Sequence, residues 1–199
     1  LTLDKNLAIQ CSIMGDFSCA NEKLKSVENN IAQIKSVAKN VSVTRYANWD
    51  LSLEHVRGFI FLSEGKFIES ERSFRRALKL NQDILNELKD VGGHPLDNEA
   101  RVIQDDSNSA RPFITYRILL LGLSARSYLG QHRLVEAESQ AREALLMALK
   151  NFGPSSASAG RTLALLASIV SEQGRQPEAV LLANAALKSY QDAGLISSS

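Results

Sequence analysis

The sequence predicts an all-α fold, a right-handed α-solenoid built from about four helical hairpins. One spacing of small and apolar residues recurs four times along the chain, and a glycine stands at the head of three of the copies. In the clearest copy, Gly65–Ala77, the order is Gly-x-Phe-x-x-Ser-x-x-x-Phe-x-x-Ala. A turn glycine followed by apolar residues three and four apart indicates a helix packed closely on the helix before it.

The other copies keep these gaps while their residues change. Gly15–Val27 and Gly174–Ala186 match position by position, whereas in the copy at Leu134–Ala144 the nearest glycine, Gly130, is displaced toward the preceding helix. Small residues at these places allow two helices to approach closely. The residues expected to hold the hairpins together are Gly15, Ala20, Gly65, Phe74, Ala77, Ala137, Ala144, Gly174, Ala179 and Ala186.

We expect a single repeat domain over residues 1–199, with hairpins at about 1–40, 44–89, 112–152 and 155–193. Pro112 and Pro177 are each predicted to begin a helix, where a missing N–H has no cost. Residues 90–111 are predicted to be an irregular insertion, because helix breakers at 91–95 precede a polar run at 104–109. Both a functional loop and a disordered connection fit an insertion of this length.

The composition limits the partners and the compartment. A net charge of +1 gives no bulk field that would attract nucleic acid. No apolar run has the length of a membrane span, so a soluble protein is expected. The chain begins at Leu1, so we expect the native start to be absent, and both a cytoplasmic and a periplasmic location stay open. Cys11 and Cys19 flank the first turn, and idle thiols are expected because Cys19 is predicted to face outward.

No catalytic or metal-binding motif accompanies the repeats. His55, His94 and His132 are predicted on different elements, and the acidic residues near His94 match no metal-ligand spacing. Gly92-Gly93 lacks the Lys-Ser/Thr of a phosphate-binding loop. We therefore expect a non-catalytic protein without a cofactor or a metal. The basic run formed by Arg72, Arg75, Arg76 and Lys79 is predicted to be a solvated outer face and not a phosphate-binding site.

Small and apolar residues also recur in the helix that opens each hairpin, as in Ala8 with Cys11 and Ala125 with Tyr128. Together with the small–bulky–small pattern of the second helices, this resembles the tetratricopeptide-repeat family over about 150 residues. Ala137 and Ala179 are 42 residues apart, against about 34 in the simplest such repeat. The longer spacing is similar to kinesin light chains and to bacterial proteins that carry such repeats before a CHAT protease domain. The resemblance implies a recognition or regulatory region.

The resemblance also implies that the first helices line a concave face that holds a peptide or a partner helix. The inward positions mix apolar residues with cations, which suits an acidic or carboxylate-terminated peptide because arginine pairs with carboxylates bidentately. The family's carboxylate clamp is disfavoured, because Lys5 has no asparagine one turn away. The residues predicted to bind a partner are Lys5, Ile9, His55, Phe59, Leu62, Arg126, Leu129 and Arg161.

Other interpretations of the same surface remain open. The apolar members could pack on adjoining helices while the cations are solvated. The chain could also be a homo-oligomerisation module, in which the apolar edge of the last hairpin meets its own copy, or a sensor arm that controls an attached enzyme. An enzyme within the helical array is the least favoured, because no ionisable groups are predicted to converge.

Overall fold

The computed structural model of the chain describes residues 2–37, 43–91 and 106–196. Within these ranges the protein forms eight α-helices and no β-strand, which confirms the predicted all-α fold of helical hairpins. The helices are α1 (Thr2–Ile13), α2 (Phe17–Val37), α3 (Val43–Ser63), α4 (Phe67–Val91), α5 (Asp106–Gly130), α6 (Leu134–Phe152), α7 (Ala157–Glu172) and α8 (Gln176–Asp192).

The chain divides into two compact units, Leu1–Tyr116 and Arg117–Ser199. Unit 1 contains α1 to α4 and the first part of α5, and unit 2 contains the rest of α5 with α6 to α8. In unit 1, α1 packs against α2 and α3 against α4, while in unit 2 α7 packs against both α6 and α8. Antiparallel helix pairs joined by short turns are therefore the building element of both units.

The turns within three hairpins share one geometry. Gly15, Gly65 and Gly174 have φ values of 77°, 75° and 79°, a left-handed conformation that glycine adopts without steric cost. At each turn the next residue donates a backbone hydrogen bond back across the turn, as from Asp16 to Cys11 at 2.9 Å and from Lys66 to Phe61 at 2.8 Å. This pattern ends one helix and directs the chain into the next.

The third turn adopts the same geometry with histidine in place of glycine. His132 has φ 57°, and the N–H of the next residue, Arg133, donates to the carbonyl of Tyr128 at 3.0 Å. Gly130, which the sequence placed toward the preceding helix, is the last residue of α5. The turn has its left-handed residue five positions before Ala137, as Gly174 stands five positions before Ala179, and His132 occupies that position.

Replacing His132 with glycine should therefore stabilise the protein. A non-glycine residue in the left-handed region costs about 1–2 kcal/mol. The His132 side chain is exposed, so its removal loses few packing contacts. We expect His132→Gly to raise the free energy of unfolding by about 1 kcal/mol, measured by urea denaturation. His132→Ala is the control, because it removes the imidazole but keeps the strained backbone. An equal gain from both variants would show that the backbone is not the cause.

The ends of the predicted insertion differ from the structure. α4 continues to Val91 and α5 begins at Asp106, so only residues 92–105 of the predicted 90–111 insertion lie outside the described part of the chain. Pro112 lies inside α5 and does not begin it. A proline inside a helix lacks the N–H of one backbone hydrogen bond. Next to Pro112, the carbonyl of Phe113 accepts a hydrogen bond from Nδ2 of Asn81 of α4 at 3.0 Å.

Cys11 and Cys19 form a disulfide that joins α1 to α2, so the expectation of idle thiols was wrong. The tight turn at Gly15 brings the two Cα atoms to 5.8 Å, within the range that a disulfide spans. Both side chains are half-buried, and the outward direction predicted for Cys19 is not realised. The first hairpin is thus closed covalently as well as by its core.

Both units are held together by close helix contacts at small residues. In unit 1, the Phe74 ring lies directly over Gly58, and Ser70 donates its hydroxyl to the Gly58 carbonyl at 2.9 Å. In unit 2, Gly160 of α7 accommodates the ring of Tyr190 of α8 in the same manner. The alanines of the repeat are buried in these contacts: Ala8, Ala20, Ala77, Ala125, Ala137, Ala141, Ala144, Ala179 and Ala186.

Candidate functional site

The residues predicted to bind a partner fall into two separate sets, one in each unit. Unit 1 carries one set on α1 and α3, and unit 2 carries the other on α5 and α7. The unit 1 set consists of Lys5, Ile9, His55, Phe59 and Leu62, and the unit 2 set consists of Arg126, Leu129 and Arg161.

His55 in unit 1 belongs to a buried polar cluster. Its Nδ1 lies 2.6 Å from the hydroxyl of Tyr116, and the two rings meet edge to face with their centres 5.1 Å apart. The Tyr116 hydroxyl also bonds to Ser52, which precedes His55 by about one helical turn on α3. Ser52 and His55 therefore fix the part of α5 around Tyr116 against α3 within unit 1.

The environment of this cluster keeps its members uncharged. Burial lowers the pKa of His55 to about 4, and the positive charge of Lys5 acts in the same direction. Burial raises the pKa of Tyr116, so the phenol keeps its proton at neutral pH. Neutral His55 thus accepts from the Tyr116 hydroxyl at Nδ1 and carries its own proton on Nε2.

The position of His55 differs from the predicted one. The prediction placed its side chain on an exposed binding face, whereas the structure buries it because Tyr116 packs edge-on against the imidazole. Tyr116 was not recognised in the sequence, because Ile114 and Ile118 on either side of it already follow the apolar spacing of a helix. The sequence gave one indication of its role, which is that Tyr116 is an aromatic residue with a polar hydroxyl, four positions after Pro112.

The rest of the unit 1 set is partly accessible. Lys5, Ile9, Phe59 and Leu62 are all half-buried, and Ile9 packs on a core cluster that includes Ala8, Val56 and Ile60. Three of these side chains are apolar, and Lys5 carries a positive charge. They form a modest apolar surface, and not a pocket lined by converging reactive groups.

The unit 2 set carries exposed positive charge. Arg126 of α5 and Arg161 of α7 are both exposed, and neither has an ion-pair partner within the described part of the chain. Between them α5 and α7 approach closely, since a Cβ atom on Gly122 would lie 3.7 Å from the Leu165 side chain. Leu129 is half-buried and packs on the unit 2 core.

Small side chains lie about one helical turn from each of the two arginines. Gly122, Ala164 and Ser168 lie at the helical positions next to Arg126 and Arg161, and the next acidic residue along this side of α7 is Glu172. We call the surface formed by Gly122, Arg126, Arg161, Ala164 and Ser168 the unit 2 face.

Several other arginines differ from this pair because they are bound within the protein. Arg175 and Arg142 both pair with Glu138 and Glu178, in a network that joins α6 to the turn before α8. Gln173 also donates to Glu138, at 2.9 Å. These contacts compensate the charge of both arginines within unit 2.

The basic run on α4 is compensated in a similar way. Arg75 pairs with Glu71, and Arg76 lies 3.4 Å from Glu54, which Arg57 also contacts. Such pairing fits the predicted solvated outer face. Among residues 2–37, 43–91 and 106–196, no group of three or more His, Cys, Asp or Glu side chains is arranged to hold a metal ion. The described helices also include none that is long and apolar enough to cross a membrane.

Comparison with known proteins supports the repeat assignment in the second unit. A family model described as tetratricopeptide repeat matches residues 116–192, the stretch from the middle of α5 through α8. No curated protein matches the chain. Over these residues the chain is similar to repeats whose general role is to mediate protein–protein interaction.

Proposed function

We propose that this protein is a non-catalytic recognition module whose unit 2 face binds an acidic, extended peptide segment of a partner protein. The observation that carries the proposal is a pair of exposed arginines on two adjacent helices, Arg126 and Arg161, which have no ion-pair partner among the residues that the structure describes. They lie about one helical turn from small residues, near the place where α5 and α7 come together at Gly122 and Leu165.

We expect an acidic peptide to be preferred because binding changes the environment of both arginines. In the free protein each guanidinium is solvated, and an exposed ion pair contributes little. A peptide lying along the unit 2 face would exclude water from its own carboxylates and from the guanidinium groups. Charge-assisted, bidentate hydrogen bonds then become strong enough to select acidic sequences.

The unit 1 set supplies a second, more apolar surface in this proposal. Phe59, Leu62 and Ile9 offer partly exposed side chains, and Lys5 adds a single cation. Such a surface suits an apolar anchor residue with one acidic neighbour. The buried His55 is expected to hold α3 and α5 in place and not to touch the partner.

The proposal is tested with acidic, neutral and basic peptide libraries displayed at equal length, followed by fluorescence anisotropy on the best binder. We expect selection of acidic peptides, and a Kd about tenfold higher for both Arg126→Gln and Arg161→Gln, as the loss of a charge-assisted contact predicts. Lys150→Gln is the control, because Lys150 is also exposed but lies on α6. Equal weakening by all three variants, or selection of basic peptides, would contradict the proposal.

The chain context forms a finer part of the proposal. The resemblance to kinesin-light-chain repeats and to repeats that precede CHAT domains is compatible with a regulatory arm, in which peptide binding controls an attached domain. The open reading frame around these residues tests this directly. A catalytic domain joined to the repeats would support a regulatory arm, and a reading frame limited to helical repeats would favour a free-standing adaptor.

A further inference from the structure

The first helix of the protein, α1, is held in place by few side chains. Two of its residues, Ala8 and Ser12, are buried, whereas eight residues are buried in α7, the corresponding helix of the last hairpin. Leu3 and Ile13, the large apolar residues near the two ends of α1, are exposed. Because a helix is stabilised in a protein mainly by the apolar surface that it buries, the packing of α1 on its neighbours is weak.

The polar contacts of α1 add little to this packing. Asp4 accepts hydrogen bonds from the Ser26 hydroxyl at 3.2 Å and from Nδ2 of Asn30 at 3.3 Å, and both donors are half-buried residues of α2. The Ser12 hydroxyl is buried and has no hydrogen-bond partner within the described part of the chain. Such a hydroxyl loses its hydration without compensation, so its burial opposes the docking of α1.

The disulfide between Cys11 and Cys19 supplements this weak contact covalently. Cys11 lies in the last turn of α1 and Cys19 in the first turn of α2, on either side of the turn at Gly15. The bond keeps the end of α1 beside α2 when the noncovalent contacts open. Both cysteines are half-buried, which leaves the bond accessible to a small reductant.

We propose that the Cys11–Cys19 disulfide is a redox switch that controls whether α1 stays docked on α2 and α3. A thiolate of a dithiol reductant attacks one sulfur and forms a mixed disulfide, while the other cysteine leaves as a thiolate and takes up a proton. The second thiol of the reductant then displaces the remaining cysteine, which also takes up a proton. The reductant becomes a cyclic disulfide, and the protein gains two electrons and two protons.

Release of α1 uncovers part of the unit 1 core. Ala8 packs in one cluster with Ala20 and Leu24 of α2 and with Val56 and Ile60 of α3, so these four residues lose cover when α1 leaves. α2 and α3 also pack against each other, and α3 packs on α4, so these three helices keep their mutual contacts. The change is therefore confined to the first hairpin.

The unit 1 set changes at the same time. Lys5 and Ile9 lie on α1, whereas Phe59 and Leu62 lie on α3 and stay in place. The oxidised protein therefore presents Lys5 and Ile9 together with the residues of α3, and the reduced protein does not. An effect on partner binding rests on the proposed function, whereas the release of α1 follows from the packing of unit 1 alone.

Hydrogen–deuterium exchange of the full chain with and without dithiothreitol tests the switch. We expect the amides of α1 to exchange at least about tenfold faster in the reduced protein, because the bond no longer limits the opening of the hairpin. Exchange in α4 and in α6 to α8 should stay unchanged, and reoxidation with oxidised glutathione should restore slow exchange in α1. The variant Cys11→Ser/Cys19→Ser should show fast exchange in α1 with and without dithiothreitol.

Ser12→Ala tests the physical reason for the release. The change removes the buried hydroxyl, so it should slow the exchange of α1 in the reduced protein. Asn6→Ala is the matched control, because Asn6 is exposed on the same helix and alanine raises the helix propensity at both positions. Equal slowing by the two variants would count against the weak docking on which the switch depends.

Three results would overturn the proposal. The first is an unchanged exchange rate in α1 after reduction, which would show that the noncovalent contacts are sufficient. The second is faster exchange in all helices at once, which would make the disulfide a general stabilising bond and not a switch. The third is a response of the double serine variant to dithiothreitol, since that variant has no bond to reduce.

Discussion

Replacing Phe74 with alanine is expected to lower the free energy of unfolding by about 3–5 kcal/mol, the largest effect that we predict for a single substitution. Phe74 is fully buried, and its ring fills the space above Gly58 between α3 and α4. The variant would leave a cavity that two packed helices cannot close. Urea denaturation followed by circular dichroism gives the measurement.

Gly58 provides a matched double-mutant cycle for this contact. A Cβ atom at Gly58 would lie 2.8 Å from Cε1 of Phe74, so Gly58→Ala should overpack the wild-type hairpin and cost about 1–3 kcal/mol. In the Phe74→Ala background the ring is gone, and alanine is the better helix former by about 1 kcal/mol, so the same change should stabilise. Additive effects in the cycle would mean that the two residues do not touch.

Removing the disulfide is expected to have the second largest effect on stability. Cys11 and Cys19 are eight positions apart, and closing a loop of this length stabilises a protein by about 2–3 kcal/mol in the chain-entropy account. The first hairpin depends on the bond because α1 buries only Ala8 and Ser12. The double variant Cys11→Ser/Cys19→Ser should therefore unfold at a lower urea concentration than the oxidised protein.

Reduction supplies the control for the disulfide. A thiol reductant should lower the stability of the wild-type protein to that of the double variant and leave the variant unchanged. Alkylation under denaturing conditions should label no thiol before reduction and two after it. If reductant has no effect on the wild-type protein, the bond does not contribute to the folded state.

The hairpin repeat could be predicted from the sequence because its causes are local. Gly65, Ser70, Phe74 and Ala77 lie within thirteen consecutive residues. Each has a role set by turn conformation or by the helical period, so a recurring pattern is sufficient to indicate the fold. The left-handed conformation of His132 could not be predicted from the sequence. The geometry of the turn imposes it, and histidine has no strong preference of its own for that conformation.

The parts that could not be predicted depend on contacts between distant residues. The bond from Tyr116 to His55 joins residues 61 positions apart, and no periodic pattern indicates which aromatic ring will cover a given histidine. Asn81 and Phe113, which lie on either side of the predicted insertion, are likewise joined by a hydrogen bond. Arg126 and Arg161 are exposed, as their predicted register requires, whereas the absence of an acidic partner among the described residues became evident only from the structure.

Hydrogen–deuterium exchange with and without a selected acidic peptide is the measurement that tests the proposed function most directly. The account predicts slower exchange in α5 and α7 around Gly122, Arg126, Arg161 and Ser168, with α6 unchanged. Protection confined to α6 and α8, or no protection within unit 2, would contradict binding at the unit 2 face.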